Sequence, residues 1–596
     1  MKTLVGLTLT SILALPSVSA LGADEGLCRT IDRNGLSEVQ DCGGWKFVRL
    51  EGSPMRRAHD TGVFVKNGSL RADIYPFFGK QFEIKLGDEH LQTSLLKLVD
   101  MTIGRLAKAW PSDLRDELHA FADAADLSRG LVERVISAPD LGNAIGATVR
   151  DIVMDRLGFG CTSGLLHRSD LGRTWVGRNL DFPAVGVWDK HPALLLIKSP
   201  PGSGELDIVS FATEGLYNAG ISAVNSAGVA LFVHQNFLPV GAERGVPLYF
   251  VSELVLRKAR GLEEAIEILN QHRPGPAWTF VLADYKNGQL ATVEASAKGF
   301  HVRRSGRRLA QANHLLDPTL EGRDAMDRGR RTDSLRRMAT MDAGLRRLES
   351  SADAGQVSDG LAGLLAQQYA AGAGSIYLDI LKPNTIQSVV VDAGLGFREA
   401  RALWSVDRAP TASGRYVALD LDRLFALSRG EAFAYEKRDP TATPSSVRQQ
   451  QMAWGRCYEA VSQGGQKWQD AKACPYSAGA LVGYSLRALR AFEGQDWSRV
   501  ESIADEAART FRAAASAHVV ESLSTLADLA RVRAAETQRL SLRPLQAALR
   551  QRLEQPFQNP QNAKILKNLV TPLAPFWSKH LRLRLDFFSG DLVIAF

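Results

Sequence analysis

The spacing of apolar positions changes several times along the chain, and each change marks a boundary. Behind Met1-Lys2, Leu4 to Val18 is an apolar run carrying small residues, closed by Val18-Ser19-Ala20. This is the layout of a cleaved secretory signal over residues 1–20, shorter than the roughly 20 apolar residues of a membrane span. Residues 21–87 show no sustained period. They are irregular and Gly-rich with short strand-like pieces such as Trp45-Lys46-Phe47-Val48, and they read as an N-terminal extension. From about 88 to 157, Leu91, Leu95, Leu98, Thr102 and Leu106 recur at helical spacing. Trp110-Pro111 stops that helix, and Ser112 or Asp113 can cap the next. Residues 161–425 read as short strands between Gly, Asp and Asn turns, with helices at about 247–271 and 333–370. From 440 to 596 the pattern is helical again. Leu481, Tyr484, Ala488, Leu489 and Phe492 form one stripe, Gly494 ends it, and Val500, Ile503, Ala504, Ala507 and Phe511 form the next. No fixed repeat period accompanies this rhythm, so residues 440–596 are expected to form a plain α-helical bundle.

Composition adds little to the fold and something to the compartment. The 596 residues carry 72 Lys+Arg against 65 Asp+Glu, a net charge of +7. Spread over this length, that charge does not call for nucleic acid, and no nucleic-acid motif accompanies it. Beyond the N-terminus no apolar run reaches the roughly 18 residues of a transmembrane helix. A signal peptide directs the mature chain to the periplasm or the exterior, where disulfides persist. The five cysteines then become informative. Cys28 and Cys42 are close in sequence, as are Cys457 and Cys474, and two short-loop bridges would use these four. Cys161 is left over, either as a buried inert thiol or as a reactive one.

The segment around that thiol carries the chemistry. Gly158-Phe159-Gly160-Cys161-Thr162-Ser163-Gly164 opens a strand, Leu171-Gly172 turns the chain, and Trp175-Val176-Gly177-Arg178-Asn179-Leu180-Asp181-Phe182 returns beside it. Arg178 and Asp181 thus face the thiol from a neighbouring strand. There they are expected to lower its pKa and to orient a nearby amine.

These residues strongly resemble the N-terminal-nucleophile (Ntn) hydrolases, most closely the acyl-coenzyme A:6-aminopenicillanic-acid acyltransferase family, with the choloylglycine hydrolases as relatives. The resemblance begins in the helical stretch Leu118 to Leu141. It continues through Ala223-Val224-Asn225-Ser226-Ala227-Gly228-Val229, Val293-Glu294, Ala312-Asn313-His314, Asp333-Ser334-Leu335-Arg336-Arg337 and Ser388-Val389-Val390-Val391-Asp392, covering about residues 88–425. It implies an α+β fold, a four-layer αββα sandwich. In this organisation residues 88–160 are a helical pro-segment and 161–425 the Ntn core. The 21–87 extension and the 440–596 α-helical region have no counterpart in the family.

The resemblance also implies autocatalytic cleavage of the Gly160–Cys161 bond, which would make Cys161 a chain start whose own α-amine serves as general base. Such an amine titrates near working pH, and no histidine is needed. The family pattern makes Cys161, Arg178, Asp181, Asn225 and Asn313 catalytic, the two asparagines as oxyanion or substrate-carbonyl donors. Arg337 is a substrate-binding residue, with Arg336 one register away. Read without the family, Asn225 is a turn residue ahead of Gly228, Asn313 a loop residue and Arg337 part of a solvated helix face. Glu294 is a structural strand-end acid.

No metal is expected, because the histidines lack zincin spacing, and no cofactor is implied. The basic stretch from Arg303 to Arg331 reads as an exposed hairpin, or as a contact for an anionic envelope surface. The expected reaction is hydrolysis of a small-molecule N-acyl amide, a linear non-peptidic substrate, through a Cys161 thioester. Acyl transfer to an amine and lipid-ester hydrolysis use the same nucleophile. An inactive Ntn-fold scaffold whose C-terminal helices recruit a partner is the reading from another class.

Overall fold

The computed structural model describes residues 25–68 and most of 101–144, 160–236, 245–321, 328–367 and 380–463. It also describes parts of 484–535 and the strand pair 582–585 and 592–595. The signal segment, residues 88–100 and the Cys457–Cys474 pairing lie outside the described residues.

Sheet A has eight strands. They are β1 (Glu25–Leu27), β5 (Gly160–Arg168), β6 (Arg173–Asp181), β14 (Arg308–Gln311), β15 (Thr385–Gly394), β16 (Arg398–Ser405), β17 (Tyr416–Asp420) and β18 (Ala434–Arg438), in the order β1-β18-β17-β16-β15-β6-β5-β14. Sheet B has ten. They are β2 (Arg29–Asn34), β3 (Ser37–Asp41), β4 (Lys46–Glu51), β7 (Pro192–Lys198), β8 (Ile208–Thr213), β9 (Ser222–Asn225), β10 (Val229–Gln235), β11 (Trp278–Asp284), β12 (Gln289–Ser296) and β13 (Gly299–Ser305). All pairings within both sheets are antiparallel except β4 with β7.

The α+β class is as expected, and the strand faces show how its core forms. Alternate residues of β5 and β6 point to opposite sides, as the twofold side-chain period requires. Leu165 and Val176 join Leu194, Phe211, Phe232 and Val281 of sheet B in one core between the sheets. Leu166 and Trp175 face the other way, against Met341, Leu345 and Leu361. Those last three belong to α6 (Arg328–Leu348) and α7 (Ala354–Leu365). A third core joins sheet B to α2 (Ser112–Ala124), α3 (Arg129–Ala144), α4 (Leu248–Lys258) and α5 (Leu262–Gln271), with α1 (Pro54–Asn67) beside them.

Helices expected at about 247–271 and 333–370 are each two helices in the structure, broken at Ala259–Gly261 and at Glu349–Asp353. The larger difference lies at the N-terminus. The segment read as irregular forms four strands, one in sheet A and three in sheet B, and β4 runs parallel to β7 from Lys46↔Ala193 to Glu51↔Lys198. Strands of three to six residues show too few alternations to register as a period. Cys28 and Cys42 are bridged and buried at this junction, where Trp45 meets Trp404 of β16 edge to face at 5.4 Å. Sheet A also extends past 425, through β18. No described helix is long and apolar enough to cross a membrane.

Candidate active site

Cys161 is the second residue of β5, and its thiol is buried between the two sheets. Register places Gly160 opposite Asp181 and Ser163 opposite Arg178, so the single turn between the two motifs closes them into one hairpin. The arm that returns, β6, is buried along its whole length.

Gly160 is the residue whose lack of a side chain matters most. A Cβ there would lie 2.7 Å from Asp181 Oδ2. The carboxylate therefore sits against the backbone of the bond ahead of Cys161. Its Oδ1 accepts from Thr385 Oγ1 at 2.7 Å, while Oδ2 is buried with no hydrogen-bond partner among the described residues. A buried acceptor left open costs free energy unless something occupies it at another stage.

Four groups hold Cys161 itself. Its backbone nitrogen donates to Asn313 Oδ1 at 2.9 Å. Its carbonyl oxygen accepts from Arg337 Nη1 at 2.5 Å. Arg178 Nη2 stands 3.5 Å from Sγ, and the Asp181 backbone N–H also points at the sulfur. Arg178 is in turn fixed by Ser222 Oγ, Gln387 Oε1 and the Val233 carbonyl. Arg337 also donates to Thr162 Oγ1, to Asn313 Oδ1 and to Asp333 Oδ2, each within 2.9 Å. Asp333 pairs on its other side with buried Lys382. Asn313 is aimed by Ser334, whose hydroxyl accepts from the Asn313 backbone N–H at 2.8 Å.

The electrostatics correct one expectation. Burial pushes the Cys161 thiol up, and Arg178 only partly opposes it, so the resting sulfur is a neutral thiol. Burial likewise raises the Asp181 carboxyl, against Arg337, Thr385 and Lys382, and lowers Lys382. A neutral thiol needs a nearby proton acceptor before it can attack.

The structure thus gathers Gly160, Cys161, Arg178, Asp181, Asn313 and Arg337 into one cluster. Asn225 is not among them. Its Nδ2 donates to the Leu256 and Ala259 carbonyls at the end of α4, and its Oδ1 accepts from the Ala227 and Val229 amides. Both donors are spent on backbone, so the side chain has nothing to offer an oxyanion. It ties the β9–β10 turn to a helix end. Asn313 is present but presents its oxygen to the Cys161 nitrogen, a holding contact rather than an oxyanion donation. Glu294 accepts the Leu316 and Asp317 amides and is structural. Arg304, Arg307 and Arg308 pair with Glu263, Glu349 and Asp342, which suits a solvated hairpin. Among the described residues no group of ligand-type side chains could hold a metal ion.

Sequence reasoning missed Lys382, Thr385 and Gln387. Nothing in spacing marks them, because they reach the cluster from β15 and the turn before it. It also missed the pocket. A narrow cavity, about 30 Å³ open to water within about 440 Å³ of unfilled space, opens beside Cys161. Leu180, Phe182, Trp188, Tyr249, Trp278 and Ile386 form most of its wall. The lining is mostly apolar, its polar groups being the thiol, Gln235, the Tyr249 hydroxyl and the indole N–H groups of Trp188 and Trp278.

Residues 170–388 match the acyl-coenzyme A:6-aminopenicillanic acid acyl-transferase family. The matched stretch begins after Cys161 and contains Arg178, Asp181, Asn313 and Arg337. No curated protein matches the chain.

Proposed function

Taking that family match as its premise, with acyltransferases and amidohydrolases as the chemistry it suggests, we propose a self-processed Ntn amidohydrolase of the αββα sandwich type. Its nucleophile is Cys161. The observation that carries the reading is the clamp on one residue: Asn313 on the Cys161 nitrogen, Arg337 on its carbonyl and Arg178 at its sulfur.

Processing starts with the Cys161 thiol adding to the Gly160 carbonyl. The C–N bond to Cys161 breaks, the nitrogen takes up the thiol proton, and Gly160 becomes a thioester on Sγ. Water hydrolyses the thioester, leaving a Gly160 carboxylate, a free thiol and a free α-amine. The open oxygen of Asp181 lies beside Gly160, where it can receive a proton or hydrogen-bond the new terminus.

Turnover then uses the amine. Asn313 Oδ1 accepts one of its hydrogens, which leaves the nitrogen lone pair free for the thiol. The thiolate adds to a substrate amide carbonyl, the departing amine takes the proton from the Cys161 amine, and the acyl group rests on sulfur until water removes it. An amine in place of water gives acyl transfer. The apolar lining favours an uncharged acyl group, aliphatic or aromatic. Secretion and removal of the signal segment complete the proposal, and extracytoplasmic water favours hydrolysis over transfer.

Intact-mass measurement of the purified protein tests it. Two fragments split at Gly160–Cys161 are expected for the wild type and one chain for Cys161→Ala. Cleavage of the Cys161→Ala variant at the same bond would sink the proposal.

A further inference from the structure

The segment ahead of the scission contributes a wall to the pocket. Pro139 of α3 lines the cavity that Cys161 opens into. Beside it, Asp140 is only 3% exposed, and its two oxygens reach two different parts of that wall. Oδ2 accepts from the Leu248 backbone N–H at 3.0 Å, and Oδ1 accepts from Trp278 Nε1 at 2.9 Å. Leu248 and Trp278 both line the cavity.

These contacts are not replaceable from nearby. Helix α4 begins behind Pro247, which has no side-chain cap to give, so its first amide depends on a cap delivered from another helix. Trp278 starts β11 and pairs in register with Gln235, another lining residue. Its buried indole N–H has one strongly directional partner, and that partner sets the angle of the ring. Tyr249, the second residue of α4, follows the helix end that Asp140 fixes.

We propose that Asp140 is a positioning residue that fixes the acyl-binding wall, so that the fragment ahead of the cut helps set which acyl groups the site accepts. The inference rests on the reading of Cys161 as an acylated nucleophile. It does not require Asp140 to touch the reacting atoms. Asp140→Asn keeps the shape but turns an amide N–H toward one of two donors, leaving that donor unpaired. Asp140→Glu keeps both acceptors on a longer arm.

Two readouts separate this inference from the underlying reading. The first is the rate at which N-ethyl- and N-octyl-iodoacetamide alkylate Cys161 in the processed protein, which needs no amide turnover. The second is kcat and KM on acetyl, butyryl, octanoyl and phenylacetyl p-nitroanilides. Asp140→Asn is expected to change the octyl-to-ethyl alkylation ratio at least fivefold and to raise KM for the longer acyl groups about tenfold with kcat little changed, with partial rescue in Asp140→Glu. Scission, read by mass, should persist in both variants. An unaltered alkylation ratio in Asp140→Asn would overturn the inference. Absence of anilide turnover in the wild type counts against the amidohydrolase reading, and the alkylation ratio still decides the role of Asp140. If Asp140→Asn does not fold, the same ratio is read in Asp140→Ser, which keeps at most one acceptor for the two donors, and an unchanged value there is again fatal.

Discussion

At the scale of single residues, the candidate site holds Cys161 by its backbone as well as by its sulfur. Asn313 is the clearest case, because one carbonyl oxygen serves both the Cys161 nitrogen and Arg337. Asn313→Ala removes that acceptor from two buried donors, and the loss of about 1–3 kcal/mol should slow scission by roughly 10- to 100-fold. A time course of precursor mass measures it. Lys382 acts at longer range. With Arg178 and Arg337 it places three buried cations against Asp181 and Asp333. Like charge disfavours a protonated amine. Lys382→Met should therefore raise the pKa of the freed α-amine and move the acid limb of the kcat/KM profile to higher pH; an unmoved limb would detach Lys382 from the amine. Asn225→Ala gives the contrasting result. Losing four backbone contacts should cost about 2 kcal/mol and lower Tm, while activity per folded molecule holds.

At the scale of elements, the hairpin β5–β6 carries Cys161, Arg178 and Asp181, and its rear face explains why the motif holds two further glycines. Gly164 and Gly177 sit opposite each other. A Cβ at Gly164 would meet Met341 Sδ at 2.5 Å, and one at Gly177 would meet Leu361 Cγ at 2.6 Å. The helices α6 and α7 can approach sheet A this closely only because both positions are bare. Gly177→Val should overfill that contact at about 1–3 kcal/mol. It should also shift Arg178 enough to reduce scission, which thermal melts and precursor mass read together. This hairpin was the most legible part of the molecule. Its residues are contiguous, its turn is marked by Gly172, and its return register follows from counting. Arg337 and Asn313 were readable only through motif order, since their partners lie 176 and 152 residues away. Lys382 and Asp140 carried no signal. Each is an ordinary charged residue until tertiary structure buries it, and Asn225, which did carry a motif, proved to be a turn and helix-end tie.

At the scale of the whole molecule, charges buried between distant elements decide how stability responds to pH. Desolvation raises Asp140 to about 7, with the Leu248 amide and the Trp278 indole only partly opposing it. The folded chain therefore keeps a proton that the unfolded chain releases near the ordinary carboxyl value of 3.8. Stability from this group is complete below about pH 4 and is lost progressively as pH rises to about 7, in all about 4 kcal/mol. Asp140→Asn should lack this component, so the difference between wild-type and variant melts should shrink over that window and level off above it. A second buried group is already paired: Glu117 of α2 grips Arg257 of α4 through two hydrogen bonds of 2.8 and 2.6 Å. Arg257 also bonds Glu253 at 2.7 Å, so Glu117→Ala strips two charge-assisted hydrogen bonds without leaving the guanidinium unpaired, and it should cost about 2–3 kcal/mol in a denaturant titration.

The parallel ladder of β4 with β7 has a kinetic corollary. It joins a strand from before Gly160 to one from after it, as does β1 with β18 in the other sheet. Under the proposed scission those ladders would become contacts between separate molecules, and regaining them after denaturation would turn from a first-order event into a second-order encounter. Dilute mature protein that is melted and cooled should stay inactive where the uncut Cys161→Ala chain recovers its fold, so the lifetime of the cut form depends on never opening.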